Sequence, residues 1–190
     1  APDIQSWKMK FFLTSHIKGT LDNIVGTNMS VRTNNSSSSF TGNIALTGLP
    51  NMNNLYIDAH QIQLKTSYTD IVKIAPTLKK LTQPNISALG NVQYKGNFYG
   101  YIHSFTALGF LETAIGNVQT DINIKLQKGN IASYQGKLGL QYFKLGTFIR
   151  NNDLNFINGE VTLNGQGVGK NATANLTTQL QRLDYNGYAY

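Results

Sequence analysis

The stretch Asn91-Val-Gln-Tyr-Lys-Gly-Asn-Phe98 decides the fold. Val92, Tyr94 and Phe98 alternate with Gln93, Lys95 and Asn97, the pattern of a strand with one apolar face. The same stretch carries Tyr94-Lys95-Gly96. This aromatic-x-Gly step recurs as Phe40-Thr41-Gly42, Tyr134-Gln135-Gly136 and Tyr185-Asn186-Gly187. Phe105-Thr-Ala-Leu-Gly109 follows Tyr94, and Phe143-Lys-Leu-Gly146 follows Tyr134, 40 residues further on. A degenerate period of this kind predicts an array of β units, which presents a surface or a groove rather than an enclosed catalytic pocket. Glycines at 42, 96, 100, 136 and 139 sit inside strands, where they let a sheet coil.

The alternation extends in both directions. Trp7, Met9, Phe11, Leu13 and Ile17 share one phase, and so do Phe40, Ile44 and Leu46. Leu55, Ile57 and Ala59 continue it until the phase flips, and Ile62 and Leu64 carry it on, which predicts a β-bulge or bend near His60-Gln61. Ile122, Ile124 and Leu126 alternate with Asp121, Asn123 and Lys125. Leu138 and Leu140, Val161 and Leu163, and Leu176 and Leu180 extend the pattern. Asn158-Gly159, between Phe156 and Val161, predicts a hairpin turn.

Residues 69–81 are the one expected helix. Ile71, Ile74, Ala75, Leu78 and Leu81 recur at helical spacing behind a Thr69-Asp70 cap; Pro76 in the middle predicts a kinked helix or two short turns rather than one straight helix, and Pro84 ends the segment. Beyond residue 85 everything reads as strand, turn, strand. The serines 36–39 read as a loop and Gly165-Gln-Gly-Val-Gly-Lys170 as a turn. No internal boundary appears, so residues 1–190 form one segment. The first residues lack the basic and apolar regions of a signal peptide, and the last ones stop inside an apparent strand. The expectation is a piece of a longer chain.

Composition narrows the function. Only 13% of residues are charged, so the polar surface must come from Asn, Gln, Ser, Thr and Gly. The net charge is +7, yet no basic cluster exceeds Lys79-Lys80, which argues against nucleic acid. There is no cysteine. No two carboxylates share a strand face at catalytic spacing, and His16, His60 and His103 form no metal-binding motif. Gly165 to Lys170 fails as a phosphate loop, because Asn164 and Asn171 stand where Gly and Ser or Thr are required. The reading is no enzyme, no metal and no cofactor. What remains is the apolar face. It is either the filled core of a β-sandwich or solenoid, or an open groove for lipid acyl chains, and alternation alone fits both.

The run Ser87-Ala-Leu-Gly-Asn-Val-Gln-Tyr-Lys-Gly-Asn-Phe-Tyr-Gly100, continued by Phe105 to Gly116, resembles TamB-like translocation and assembly module subunits, in particular those of Bacteroidota. Gly48-Leu-Pro50, Lys65-Thr-Ser67 with Asp70-Ile71, Phe143 to Gly146 and Tyr185 to Tyr188 fit the same pattern. The resemblance implies membership of the AsmA-like, bridge-type lipid transfer proteins. These are long periplasmic proteins of Gram-negative bacteria, held in the inner membrane by an N-terminal helix. Their strands coil into a taco-shaped groove, polar outside and apolar within. It also implies transport of phospholipid to the outer membrane and protein assembly there with a TamA-like barrel. The anchor helix and the barrel-contacting region have no counterpart in these 190 residues. The expected fold is therefore an all-β, curled sheet of degenerate repeats, about fifteen strands and roughly 70 Å long. The residues expected to line the groove are Ile44, Leu46, Leu55 and Ile57, then Ile122, Ile124, Leu126, Leu138 and Leu140, then Val161, Leu163, Leu176 and Leu180. The alternative is a structural β-solenoid of adhesin or passenger type with a filled core.

Overall fold

The alternating runs become strands because each buries one row of side chains and leaves the other row to water. The computed structural model describes residues 10–34, 37–74, 78–79, 82–126, 132–167 and 172–190. β1 (Phe11–Thr20), β2 (Asn23–Thr33), β3 (Ser39–Thr47) and β4 (Tyr56–Ser67) lead to a short helix, α1 (Tyr68–Ile74). β5 (Asn91–Tyr101), β6 (Ser104–Thr113), β7 (Gly116–Leu126) and β8 (Ala132–Lys144) follow. A second short helix, α2 (Leu145–Ile149), precedes β9 (Leu154–Gln166), β10 (Thr173–Tyr185) and the two-residue β11 (Tyr188–Ala189). All eleven strands form one antiparallel sheet in strict chain order, which curls without closing into a barrel. The expected all-β, curled sheet is what the chain forms. Among the described residues, which leave out the expected strand positions Trp7 and Met9, its strands are fewer and longer than expected: β1 to β10 have nine to thirteen residues each. Ten strands at about 4.8 Å make a sheet roughly 45 Å long.

The two rims of the sheet differ. α1, a 3-10 turn at Ile86–Leu89 and α2 all stand at the rim where β4 ends, β5 begins and β8 ends. Beneath the 3-10 turn and α2 lies the main core cluster of Ile115, Val118, Leu140, Phe143, Ile157 and Val161, with Leu89, Leu145 and Phe148 packed against it. The opposite rim carries tight two-residue turns, Leu21-Asp22 and Ile102-His103.

Three sequence expectations need correction. The helix begins at Tyr68, and its cap is Ser67, whose hydroxyl accepts the Asp70 N–H at 3.2 Å, rather than Thr69-Asp70. α1 ends at Ile74, ahead of Pro76, while residues 75–77 and 80–81 of the expected helix lie outside the described ones. Beyond residue 85 the chain is not only strand and turn, since Ile86–Leu89 and α2 are helical. Elements of four and five residues are too short to show a helical period. Asn158-Gly159 makes no turn either. It lies in mid-β9, with Gly159 at a φ of 147° between β8 and β10, where an added Cβ would stand 2.4 Å from the Gln179 carbonyl oxygen. The hairpin forms instead at Asn186-Gly187, whose φ values of 49° and 80° are those of a type I′ turn.

The 40-residue step also loses its meaning as a repeat. Tyr94 lies on β5 and Tyr134 on β8, which run in opposite directions, so no translation relates them. The aromatic-x-Gly step has a local function. The Tyr94 ring covers the bare backbone of Gly96 and of the facing Gly109, with its hydroxyl donating to the Asn97 carbonyl at 2.9 Å. The Tyr134 ring covers Gly165, its partner on β9, rather than the Gly136 of its own step. An aromatic ring over a strand glycine restores the contact that the missing side chain forfeits. The serine run and the Gly165 to Lys170 segment are only partly accountable. Residues 35–36 and 168–171 lie outside the described ones, Ser39 opens β3, and Gly165-Gln166 end β9.

The bulge expected near His60-Gln61 is present, and it belongs to a set. Asn28, Gln61 and Tyr142 have φ of 49°, 53° and 46°, and each sits at a register shift in β2, β4 or β8. In each case an asparagine on the following strand accepts the N–H that the bulge turns outward. Asn43 takes that of Asn28 at 3.0 Å, Asn97 that of Gln61 at 3.1 Å, and Asn158 that of Tyr142. The Asn43 amide also donates to Gln61 at 2.9 Å, so one chain of hydrogen bonds crosses β2 to β5 on the outer face. In Asn97→Ala the Gln61 N–H loses its acceptor. Stability should fall by about 1 kcal/mol in urea titration, with faster amide exchange confined to the β4–β5 bulge.

Candidate functional site

Cross-strand partners share a face, so the register alone sorts the thirteen expected groove residues. Leu46 pairs with Ile57, Ile57 with Gly100, Gly100 with Phe105 and Phe105 with Ile124. Ile122 pairs with Gly136, Gly136 with Leu163, and Leu163 with Leu176. Leu138 faces Val161, while Leu140 and Leu180 both face Gly159. Ile44 and Leu126 share the strand phase of Leu46 and Ile124, and Leu55 precedes β4 in the phase of Ile57. All thirteen therefore lie on one face. The bulges preserve this by resetting the phase of β2, β4 and β8 in mid-strand.

That face is only partly closed. Leu55, Leu140, Val161 and Leu163 are buried, at 5 to 9% exposure, so the chain's own packing takes them up. Ile44, Leu46, Ile57, Ile122, Ile124 and Leu138 are half-buried, and Leu126, Leu176 and Leu180 are exposed. Leu13 and Ile17 on β1, in the same phase, are more than half exposed at 57% and 58%. Phe98 and Phe105 meet across β5 and β6 with ring centroids 4.7 Å apart and belong to the same surface. Both aromatics are in phase, and the alternation that picked out their aliphatic neighbours marks them equally. The result is a trough, filled beneath the 3-10 turn and α2 and at Leu55 and Leu163, and open at Leu126 and Leu176 and along β1.

The opposite face carries the charge. Lys65, Lys95, Glu112, Asp121, Lys125, Lys137 and Glu160 all fall in the outward phase. Lys137 and Glu160 approach to 3.2 Å and Lys95 and Glu112 to 3.7 Å, exposed pairs that contribute little to stability. His16 is on the outer face of β1, His60 pairs with Asp58 at 2.5 Å, and His103 stacks on Tyr101 at 5.8 Å. Among the described residues no three His, Asp or Glu side chains gather as a metal site, and no helix is long and apolar enough to cross a membrane.

One carboxylate stands apart. Asp70 on α1 is 2% exposed. Lys73 donates to it at 2.7 Å, Ser38 at 2.7 Å, and Ser37 through a short hydroxyl contact. The Lys73 ammonium, then the Ser37 hydroxyl, hold its carboxyl down to about 2 against the opposing effect of burial. The Ser38 hydroxyl also meets the Thr66 hydroxyl at 2.9 Å. Two of the expected loop serines thus tie α1 to the β2–β3 connection and, through Thr66, to β4. Beneath α1 lies an apolar cavity of about 270 Å³ whose walls are Phe11, Val31, Phe40, Leu64 and Ile71. Phe11, Val31, Phe40 and Leu64 lie in the trough phase. What alternation could not place there is Ile71, because it comes from the helix.

No family model, curated protein or solved structure matches this chain.

Proposed function

We propose that this chain is a stretch of a lipid-conducting groove of the TamB-like, bridge-type kind. It would serve in the periplasm of a Gram-negative bacterium, in phospholipid transport to the outer membrane and protein assembly there. One observation carries the reading. The register gathers the apolar phase of ten strands on one face, part of which stays exposed at Leu126 and Leu176 and along β1, while the charges collect on the other. Acyl chains would lie along the inner face with headgroups at the rim of tight turns. Burying a methylene contributes about 0.8 kcal/mol and has no direction, so a chain is held yet free to slide. A barrel partner of TamA-like type would engage regions outside these residues.

The filled-core solenoid is the second reading, and the packed cluster under α2 favours it locally. Lipid occupancy separates the two. Native mass spectrometry of protein purified from cells should reveal co-bound phospholipid. Ile124→Asp puts a charge in the middle of the trough, and affinity for a fluorescent phospholipid should drop about tenfold or more with the far-ultraviolet spectrum unchanged. Lipid-free protein, together with a variant that binds as the parent does, would decide for the solenoid.

A further inference from the structure

The cavity lined by Ile71 of α1 lies on the trough face, at the rim where β1 and β3 begin and β4 ends. We infer that it seats the terminal part of one acyl chain, so that α1 acts as an end-stop for the lipid tail; this rests on the groove reading above. Three observations support it.

The first is the polarity of the site. Val31, Phe40, Leu64 and Ile71 present hydrocarbon. The hydroxyls of Thr33, Ser38 and Thr66 around it are already engaged, and Ser39 lies in the outward phase of β3. Thr33 donates to the Ser38 carbonyl and accepts the Ser38 N–H at 3.1 Å, and Ser38 and Thr66 bond to each other and, through Ser38, to Asp70. A headgroup finds no ready partner there, whereas a methyl end needs none.

The second is size. An apolar cavity of about 150 Å³ accepts benzene, so 270 Å³ accommodates roughly ten carbons of an alkyl chain. That is part of a membrane acyl chain and too little for a whole phospholipid.

The third is position. Phe40 pairs with Leu64, and Leu64 pairs with Tyr94 on β5. Toward the opposite rim the same strands carry Ile44, Leu46 and Ile57. A tail lying on these residues with its headgroup at the rim of tight turns points its far end at α1.

Photolabelling tests the seat on the whole chain. One phospholipid probe carries a diazirine at the last carbon of an acyl chain, and a second carries it near the glycerol. The terminal probe should label peptides holding Phe40, Leu64 or Ile71, and the proximal probe should not. Leu64→Trp, and independently Val31→Phe, fill a closely packed site, so terminal labelling there should fall about fivefold or more while labelling of β7 and β8 persists. If the terminal probe marks only β7 to β9 of the parent protein, or if labelling at Phe40 and Leu64 survives filling, the end-stop is wrong and the groove stands. If neither probe labels the inner face at all, the groove reading falls and the end-stop with it.

Discussion

Gly96→Val should lower stability by about 3 kcal/mol or more and unseat β5 from β6. A Cβ at Gly96 would lie 2.3 Å from the Leu108 carbonyl oxygen and 2.6 Å from the Gly109 Cα. Both are backbone atoms of the facing strand, so no side-chain rotation relieves the overlap. The third neighbour is the Tyr94 hydroxyl at 2.9 Å, and the ring would have to leave both glycines it covers. Typical domains have only about 5 to 15 kcal/mol of stability, so the loss is a large share of the total. Gly139→Ala is the matching control. Its Cβ would meet only the Gln119 side chain, at 3.3 Å, and its backbone is ordinary for a strand. Glycine in a strand costs about 0.5 to 1 kcal/mol relative to alanine, so Gly139→Ala should be neutral or mildly stabilising. Urea midpoints of the two variants decide the matter, and equal losses would refute the packing argument.

Asp70→Asn should cost about 2 kcal/mol and change the acid limb of the stability curve. The carboxyl titrates near 2 in the folded chain and near its usual value of 3.8 when unfolded. A folded-state value below the unfolded one means that the stabilisation is fully present above about pH 4. It declines as pH falls toward 2 and is gone below that. The parent should therefore lose about 2 kcal/mol more than Asp70→Asn between pH 6 and pH 2, an upper figure because Lys73 is half exposed. Chemical denaturation at the two pH values measures the difference, and parallel losses in both proteins would remove Asp70 from this role. The variant should also free α1. Faster amide exchange at Ile71 and Val72, with β7 to β9 unaffected, is the local signature.

Much of the sheet was legible because its period is two and its inner face nearly uniform. Ile122, Ile124 and Leu126 identify their phase without help from any neighbour. The phase of β4 was recoverable only because the flip at His60-Gln61 is visible in the apolar residues themselves. The bulges at Asn28 and Tyr142 went unread for a physical reason. Their signature is a polar side chain on the next strand, which no local window contains. The same reason explains Asn158-Gly159. The dipeptide favours a turn, but Asn158 bonds to β8 and Gly159 lies against β10, and two flanking strands outweigh a two-residue preference. At the site, alternation put all thirteen candidates on one face, yet it could not say which are closed over. Leu140 and Val161 lie beneath elements too short to announce themselves. The cavity under α1 was invisible for a related reason, since it needs Ile71 of a helix brought against the ends of β1 to β4 and held by serines some thirty residues away.

The strict chain order of the strands bears on how the molecule is made. Every strand finds its partner next to it in sequence, and several pairs are joined by only two residues. Closing such short loops costs little entropy, and sheets built from neighbours avoid the slow search that distant pairings impose. Assembly can therefore run from one end like a zip, each hairpin serving as the template for the next strand as it emerges from the ribosome or from a translocation pore.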